Sequence, residues 1–356
     1  MMALKILGAA VLVVIAVLGV VIIGFIRGLK QTRRPALASC TPGAPKSCDG
    51  TFIGPDLDLD YRLLYPGDAS GSNAAPAAMF VMLHGAGLNG RYQDYLSQGS
   101  LQALATQENI IILLPSASGK HNTWLDNEHP DHPDVKVATD QAPALFALID
   151  HYTAQFGIDR ANVAIAGYSN GGTMAMRLAG EAEVPFAALG AFGSPTTRHQ
   201  IEHGSQNTVP VMLFHGTKDS ANRFEGGYSK FLGMDIKLGG AVPVLSAQET
   251  VDFWRRTNGA MGAPEPQDIL INASDGTSTR TYTYPDDARQ SPVVQVVIEN
   301  GGHFVPGSRR FPWALMLLQR GQHITAFDGY AMFWAFAKGF MKTREDKPQG
   351  QMEAAQ

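Results

Sequence analysis

Residues 163–173, Val-Ala-Ile-Ala-Gly-Tyr-Ser-Asn-Gly-Gly-Thr, constrain the fold of this chain more than any other stretch. Small and branched apolar residues open it as a buried strand. Gly167-Tyr168-Ser169-Asn170-Gly171 then fits the G-x-S-x-G pattern, and helix-forming residues follow through 174–179. Strand, sharp turn and helix in that order predict a nucleophile elbow. The turn drives its central residue into a strained backbone conformation. Glycines flank it because any side chain there would strike the adjoining strand or helix. The Ser169 hydroxyl is thereby raised at a helix N-terminus, where the dipole favours negative charge. A five-residue match alone also describes an ordinary Gly-rich loop; the strand before it and the helix after it favour catalysis.

The pattern around the elbow predicts the architecture. Short apolar runs at 78–83, 110–114, 163–166, 209–214 and 293–298 suit buried parallel strands, and 57–65 alternates as an early, partly exposed strand. Helical patterns at 92–106, 139–156, 171–179, 246–257 and 327–341 separate them. This alternation implies an α/β fold, a doubly wound and mostly parallel sheet covered on both faces. Ligands in such sheets sit beyond the carboxyl ends of the strands. Phe327, Tyr330, Phe333, Trp334 and Phe340 recur at helical spacing and read as core contacts.

Three further motifs fall at those strand ends. The strand at 78–83 runs into His84-Gly85-Ala86-Gly87, where a loop amide can pair with the amide after the nucleophile. Ala86 and Asn170 are the expected oxyanion donors, with Gly87 as a substitute for Ala86. A later strand ends in His215-Gly216-Thr217-Lys218-Asp219, and Asp219 is the candidate acid; Asp275, Asp286 and Asp287 compete less well. The last strand leads to Gly301-Gly302-His303, a glycine-flanked histidine placed to act as the base. The order Ser169, Asp219, His303 is that of the α/β-hydrolases. His84 and His215 are expected to brace their loops. Trp124 reads as a substrate wall or a cap on the core.

Composition bounds the partners. Net charge is −4, and no basic run with aromatics suggests a nucleic-acid partner. His121, Asp126, Glu128, His129, Asp131, His132 and Asp134 cluster without a recognisable metal-ligand spacing, so a solvated loop is expected, with no metal and no cofactor. Residues 6–26 carry no charge and are long enough to cross a bilayer as an uncleaved N-terminal transmembrane helix, because Arg27, Lys30, Arg33 and Arg34 follow directly. Those basic residues favour a cytoplasmic catalytic domain. Cys40 and Cys48, close enough for a small disulfide loop, favour the periplasmic or extracellular side, which is the expectation adopted here. The domain reading is a membrane anchor over 1–30, a linker over 31–56, the catalytic domain over 57–342 and a polar tail over 343–356.

The set Leu83-His84-Gly85, Gly167-Tyr168-Ser169-Asn170-Gly171-Gly172, His215-Gly216-Thr217-Lys218-Asp219 and Gly301-Gly302-His303-Phe304-Val305-Pro306-Gly307 resembles the polyhydroxybutyrate depolymerase family of α/β-hydrolases and the related feruloyl and acetylxylan esterases. Residues 156–163 are similar to that family's lead-in to the elbow, and Phe224-Glu225-Gly226-Gly227 to the segment after its acid. The resemblance covers residues 57–342. It implies an α/β-hydrolase fold, ester hydrolysis and Ser169, Asp219 and His303 as the triad. Where the family commonly has Thr-Trp after the histidine, this chain has Phe304 and Val305. A soluble small-molecule or oligomeric ester is therefore a better expected substrate than a crystalline polymer. The same triad could serve a peptidase, and a membrane-tethered binding protein with a dead hydrolase fold is the non-enzymatic alternative.

Overall fold

The computed structural model describes residues 47–66, 75–118, 122–125, 139–231, 234–235, 243–272, 274–286, 291–310 and 321–342. The proposed anchor at 6–26, Cys40 and the acidic and histidine cluster from His121 to Asp134 lie outside these residues. Among the described residues no helix is long and apolar enough to cross a membrane.

Twelve strands are present among the described residues: β1 (Ser47–Ile53), β2 (Asp58–Leu64), β3 (Met79–Leu83), β4 (Ile111–Pro115), β5 (Val163–Tyr168), β6 (Ala188–Phe192), β7 (Val211–Gly216), β8 (Lys230–Phe231), β9 (Met234–Asp235), β10 (Glu265–Asn272), β11 (Thr277–Tyr284) and β12 (Val293–Glu299). All but β8 and β9, which pair only with each other, form one sheet of order β1-β2-β4-β3-β5-β6-β7-β12-β11-β10. Neighbours from β4 through β12 run parallel. Two antiparallel strands extend each side. The sheet is thus mixed and mostly parallel. β3, β4, β5, β6 and β7 are buried along their whole length, the pattern of strands covered on both faces.

Alternate residues of each central strand feed opposite faces. In β3, Met79, Val81 and Leu83 join one core, and Phe80 and Met82 join the other. The first core is covered by α3 (Ala142–Phe156), α4 (Asn170–Glu181) and α6 (Ala247–Asn258), through side chains such as Leu145, Leu148, Met174, Leu178 and Trp254. The second is covered by α1 (Gly90–Leu96), α2 (Ser100–Glu108) and α7 (Gly329–Ala337). Tyr330, Phe333 and Trp334 lie in this second core, where Phe333 and Trp334 both pack on Phe80. Phe327 is partly buried against it.

Several elements differ from the sequence pattern. Residues 47–53, inside the stretch read as a linker, form β1 and pair along β2. Cys48 there is buried and disulfide-bonded. The helix expected over 92–106 is two helices, because Gln98 and Gly99 adopt positive φ and turn the chain between them. Strands β6, β10 and β11 and helix α5 (Arg198–His203) are additions. Ala-Leu-Gly-Ala-Phe of β6 is too short and too rich in alanine and glycine to announce a strand. Gly190 is required there, since a Cβ would lie 2.7 Å from the Phe333 ring.

Candidate active site

The sheet order decides which loops meet. β3, β5, β6, β7 and β12 are successive neighbours, and their carboxyl ends deliver residues 84–89, Ser169, Gly193, Asp219 and His303 to one edge.

At the end of β5, Ser169 has φ 55° and ψ −128°, a conformation that costs a side-chain-bearing residue roughly 1–3 kcal/mol. The surroundings hold it there. Its amide donates to the Phe192 carbonyl at 2.9 Å, and its carbonyl accepts from Gly172 N and the Ser194 hydroxyl at 2.9 and 2.8 Å. The elbow also requires that Gly167 and Gly171 lack side chains: a Cβ on Gly167 would sit 2.1 Å from the Gly171 carbonyl oxygen. Ser169 itself is half-buried, and so within reach of a substrate.

Asp219 and His303 follow from the β7–β12 pairing, in which Gly216 lies opposite Ile298. The two loops leave the sheet side by side and stay joined: Thr217 N donates to Ile298 O and Lys218 N to Gly301 O. His303 Nδ1 lies 2.6 Å from Asp219 Oδ2. The other carboxylate oxygen, Oδ1, accepts from the Ala221 and Asn222 amides, both at 2.9 Å. The acid is therefore fully engaged, its side chain out of contact with water. Its loop position is fixed by the Asn222 side chain, which donates to Gly193 O. Asp275, a weaker contender for the same task, is occupied by Thr277 and Thr325.

With Nδ1 committed to Asp219, Nε2 is the ring nitrogen of His303 left for a reacting hydroxyl. The Tyr168 ring packs against the imidazole at 4.9 Å between centroids, and the Tyr168 hydroxyl donates to His303 O at 2.9 Å. Tyr168 immediately precedes Ser169 in the chain, so this pair of contacts ties the base's loop to the elbow. Phe304 and Val305, where the resembling family has other residues, are buried, and Phe304 packs edge-on against His323.

Ala86 is exposed at the tip of a turn closed by Leu88 N donating to Gly85 O. Gly85 faces the elbow closely enough that a Cβ would stand 3.3 Å from Ser169 Cβ. The Gly87 amide donates to Asn122 O, which removes Gly87 as a substitute oxyanion donor. Asn170 is the first residue of α4, the position expected of the second donor.

His84 and His215 brace their loops. His84 Nδ1 donates to Gly85 O and Nε2 accepts from the Ala117 amide. His215 Nε2 donates to Asn222 O at 2.6 Å. Burial holds His215 below the ordinary histidine range against the pull of Asp219, and lowers His84 to about 4. An unfolded histidine protonates near pH 6.5, whereas folded His84 resists protonation until about 4. Its contribution is present in full above pH 6.5 and is lost as the pH falls toward 4; about 2 kcal/mol is gone by pH 5. Urea midpoints should fall between pH 6.5 and 5, before most carboxylates titrate. A midpoint flat across that window would contradict this assignment of neutral buried imidazoles.

Gly193 and Ser194 escaped sequence analysis, and of Trp124 only its burial was foreseen. Gly193, at φ +58°, lies under the acid–base pair, where a Cβ would come within 3.0 Å of His303 Nδ1. Ser194 supports the elbow carbonyl. Trp124, read as a wall or a cap, is buried with its indole N–H donating to His84 O. The elbow and histidine loops announce themselves by glycine and order; the roles of Gly193, Ser194 and the Trp124 indole N–H depend on neighbours distant in sequence.

Comparison with known proteins bears on the fold and on the class of reaction. The sequence model of the Dienelactone hydrolase family matches residues 128–226, which span the elbow and Asp219. The putative esterase NocK of Nocardia uniformis subsp. tsuyamanensis is 27% identical over 261 residues, covering 71% of this chain and 72% of that protein. The chain acts on carboxylic esters. The bifunctional acetylxylan esterase/xylanase XynS20E of Neocallimastix patriciarum is 24% identical over 155 residues, 43% of this chain but 21% of that larger protein. Among solved structures, acetyl xylan esterase from Aspergillus awamori superposes with a TM-score of 0.50 at 15% identity, covering 74% of this chain and 95% of that one. The dienelactone hydrolase-like promiscuous phosphotriesterase P91 from metagenomic libraries gives 0.50 at 12% identity, covering 83% and 96%. These two establish the α/β-hydrolase type of fold for this esterase.

Proposed function

We propose that this esterase works through a Ser169–His303–Asp219 triad and an acyl-enzyme. The supporting observation is the buried 2.6 Å contact between His303 Nδ1 and Asp219 Oδ2, on a loop whose His303 carbonyl accepts from the hydroxyl of Tyr168, the residue beside Ser169. Ser169 Oγ adds to the ester carbonyl while its proton passes to His303 Nε2. Asp219 holds the imidazole in the Nδ1–H tautomer and stabilises the imidazolium that forms. The Ala86 and Asn170 amides donate hydrogen bonds to the carbonyl oxygen as negative charge develops on it; each such donor is worth about 10²-fold or more in rate. The tetrahedral adduct collapses, and the alcohol leaves with the proton from His303. Water, deprotonated by the same imidazole, then releases the acid and regenerates the Ser169 hydroxyl.

The proposed substrates are soluble esters of the hydroxybutyrate-oligomer, feruloyl or acetyl type, in line with the motif resemblance to polyhydroxybutyrate depolymerases and feruloyl esterases. Ser169→Ala tests the reaction: it should abolish burst release from a p-nitrophenyl ester and labelling by a fluorophosphonate, while the parent shows both. A burst surviving in Ser169→Ala removes Ser169 as nucleophile. A panel of hydroxybutyrate-dimer, feruloyl and acetyl-sugar esters then tests the substrate class, which is rejected if none is cleaved faster than a simple aryl acetate.

A further inference from the structure

The two proposed oxyanion amides belong to different loops. Asn170 N is part of α4, whereas Ala86 N stands on an exposed turn after β3. Preorganised stabilisation requires that the distance between such donors be set before substrate arrives. The ends of the Ala86 turn are both held by one short segment. His84 O accepts the Trp124 indole N–H at 2.8 Å, and the Trp124 and His84 rings pack at 4.9 Å. On the other side of Ala86, the Gly87 amide donates to Asn122 O at 3.0 Å.

That segment is in turn grasped from the elbow. Asn170 Oδ1 accepts from Trp124 N at 2.8 Å, and Asn170 Nδ2 donates to Trp124 O at 3.1 Å. One carboxamide thus satisfies both backbone groups of a single residue, which fixes that residue in translation and in rotation. The next residue has its own anchors: Leu125 N donates to Gln141 Oε1, and Arg177 donates to Leu125 O. The segment therefore remains attached to the body without Asn170, while the register of Trp124 against the elbow rests on the carboxamide.

We propose that the Asn170 side chain is a positioning residue which, through Trp124, sets the spacing between the Ala86 and Asn170 amides and so the geometry of the oxyanion site. This rests on the triad and oxyanion assignments above. The residue after the nucleophile then has two separable parts: its backbone N–H faces the substrate oxygen, and its side chain aligns the partner loop. Asn170→Ala keeps the first part and removes the second. Trp124→Phe keeps a buried aromatic ring but removes the N–H that reaches His84 O along with part of the ring volume, so the thermal midpoint of each variant is measured beside its activity to separate misplacement from misfolding.

Steady-state and burst kinetics on a p-nitrophenyl ester provide the test, with Ser169→Ala assayed in parallel. Asn170→Ala and Trp124→Phe should each lower kcat about 10- to 100-fold, the effect of misplacing a reacting group by a fraction of an ångström to an ångström. KM should stay within about twofold, since a ground-state ester carries no oxyanion. Affinity for a trifluoromethyl ketone, whose serine adduct carries an oxyanion, should fall by a factor similar to that in kcat. The acid limb of the pH profile should not move, because the His303–Asp219 pair is untouched. The double variant should be little worse than the poorer single one, as both changes break the same chain of contacts. An unchanged kcat in both folded variants, or a loss that resides in KM, overturns the positioning role. So does a double variant whose losses multiply. If Ser169→Ala is inactive and Asn170→Ala is fully active, the positioning role alone fails; a burst that survives Ser169→Ala removes the triad reading and this proposal together.

Discussion

Asp219→Asn should lower kcat about 10⁴-fold with little change in KM, while leaving the fold intact. The two carboxylate oxygens have different partners. Oδ1 accepts from two backbone amides, Ala221 N and Asn222 N, whereas Oδ2 faces His303 Nδ1. A carboxamide placed there has one good orientation. Its oxygen takes the Oδ1 position, since an NH₂ group cannot accept from two amides, and its NH₂ then points at His303. A donor meeting Nδ1 forces that nitrogen to accept, so the ring proton moves to Nε2. The imidazole then presents N–H where the reaction needs a lone pair, and Ser169 loses its base. Hydrogen bonding in the loop is preserved, so the thermal midpoint should hold within a few degrees. Asp219→Ala, by contrast, strands two buried amides and should destabilise the loop as well as abolish catalysis. Midpoints and kcat for both variants check this. An Asp219→Asn enzyme with more than about a tenth of the parent kcat would mean that another group orients the histidine.

This asymmetry of the acid marks the boundary of what the sequence discloses. Asp219 can be nominated from its place after a late apolar run, and His303 from its glycines and its position after the last one. Their contact depends on β7 and β12 being neighbours, although residues 217–292 between them pass first through α6 and the outer strands β10 and β11 of the same sheet. The central strands other than β6 are legible because they are apolar runs covered on both faces. The flanking strand β11 is not, because its threonines alternate with serine, arginine and tyrosine and carry little apolar signal. The break between α1 and α2 is hidden for another reason: Gln98, which takes a positive φ, is not a residue that advertises it. Gly193 and Trp124 are of a third kind. Nothing in Phe-Gly-Ser or Asn-Thr-Trp reveals that one underlies the acid–base pair and the other grips the carbonyl of His84. Those roles come from register across the sheet, and only the folded chain expresses them.

A large structural effect is expected at Gly171. A Cβ there would lie 2.3 Å from His84 O and 2.6 Å from Leu83 O. Both are backbone atoms at the carboxyl end of β3, a strand bonded on each side to β4 and β5, so neither can swing away as a side-chain tip would. Relief requires α4 to move off the sheet or the His84 turn to move off the elbow. Gly171→Ala should therefore cost on the order of 3 kcal/mol, the upper part of the overpacking range, and lower the thermal midpoint by about 6–12 °C. Activity should fall further than stability explains, because the displaced carbonyl of His84 is the one that receives Trp124 beside Ala86. Gly339→Ala supplies the control: a Cβ at that position meets no atom within 4 Å, and the variant should match the parent in both respects. Calorimetry and kcat measured well below the midpoint separate the two losses. A Gly171→Ala protein as stable and active as Gly339→Ala would mean that the elbow and the His84 turn are not packed backbone to backbone, and the shared edge on which the proposed site is built would have to be redrawn.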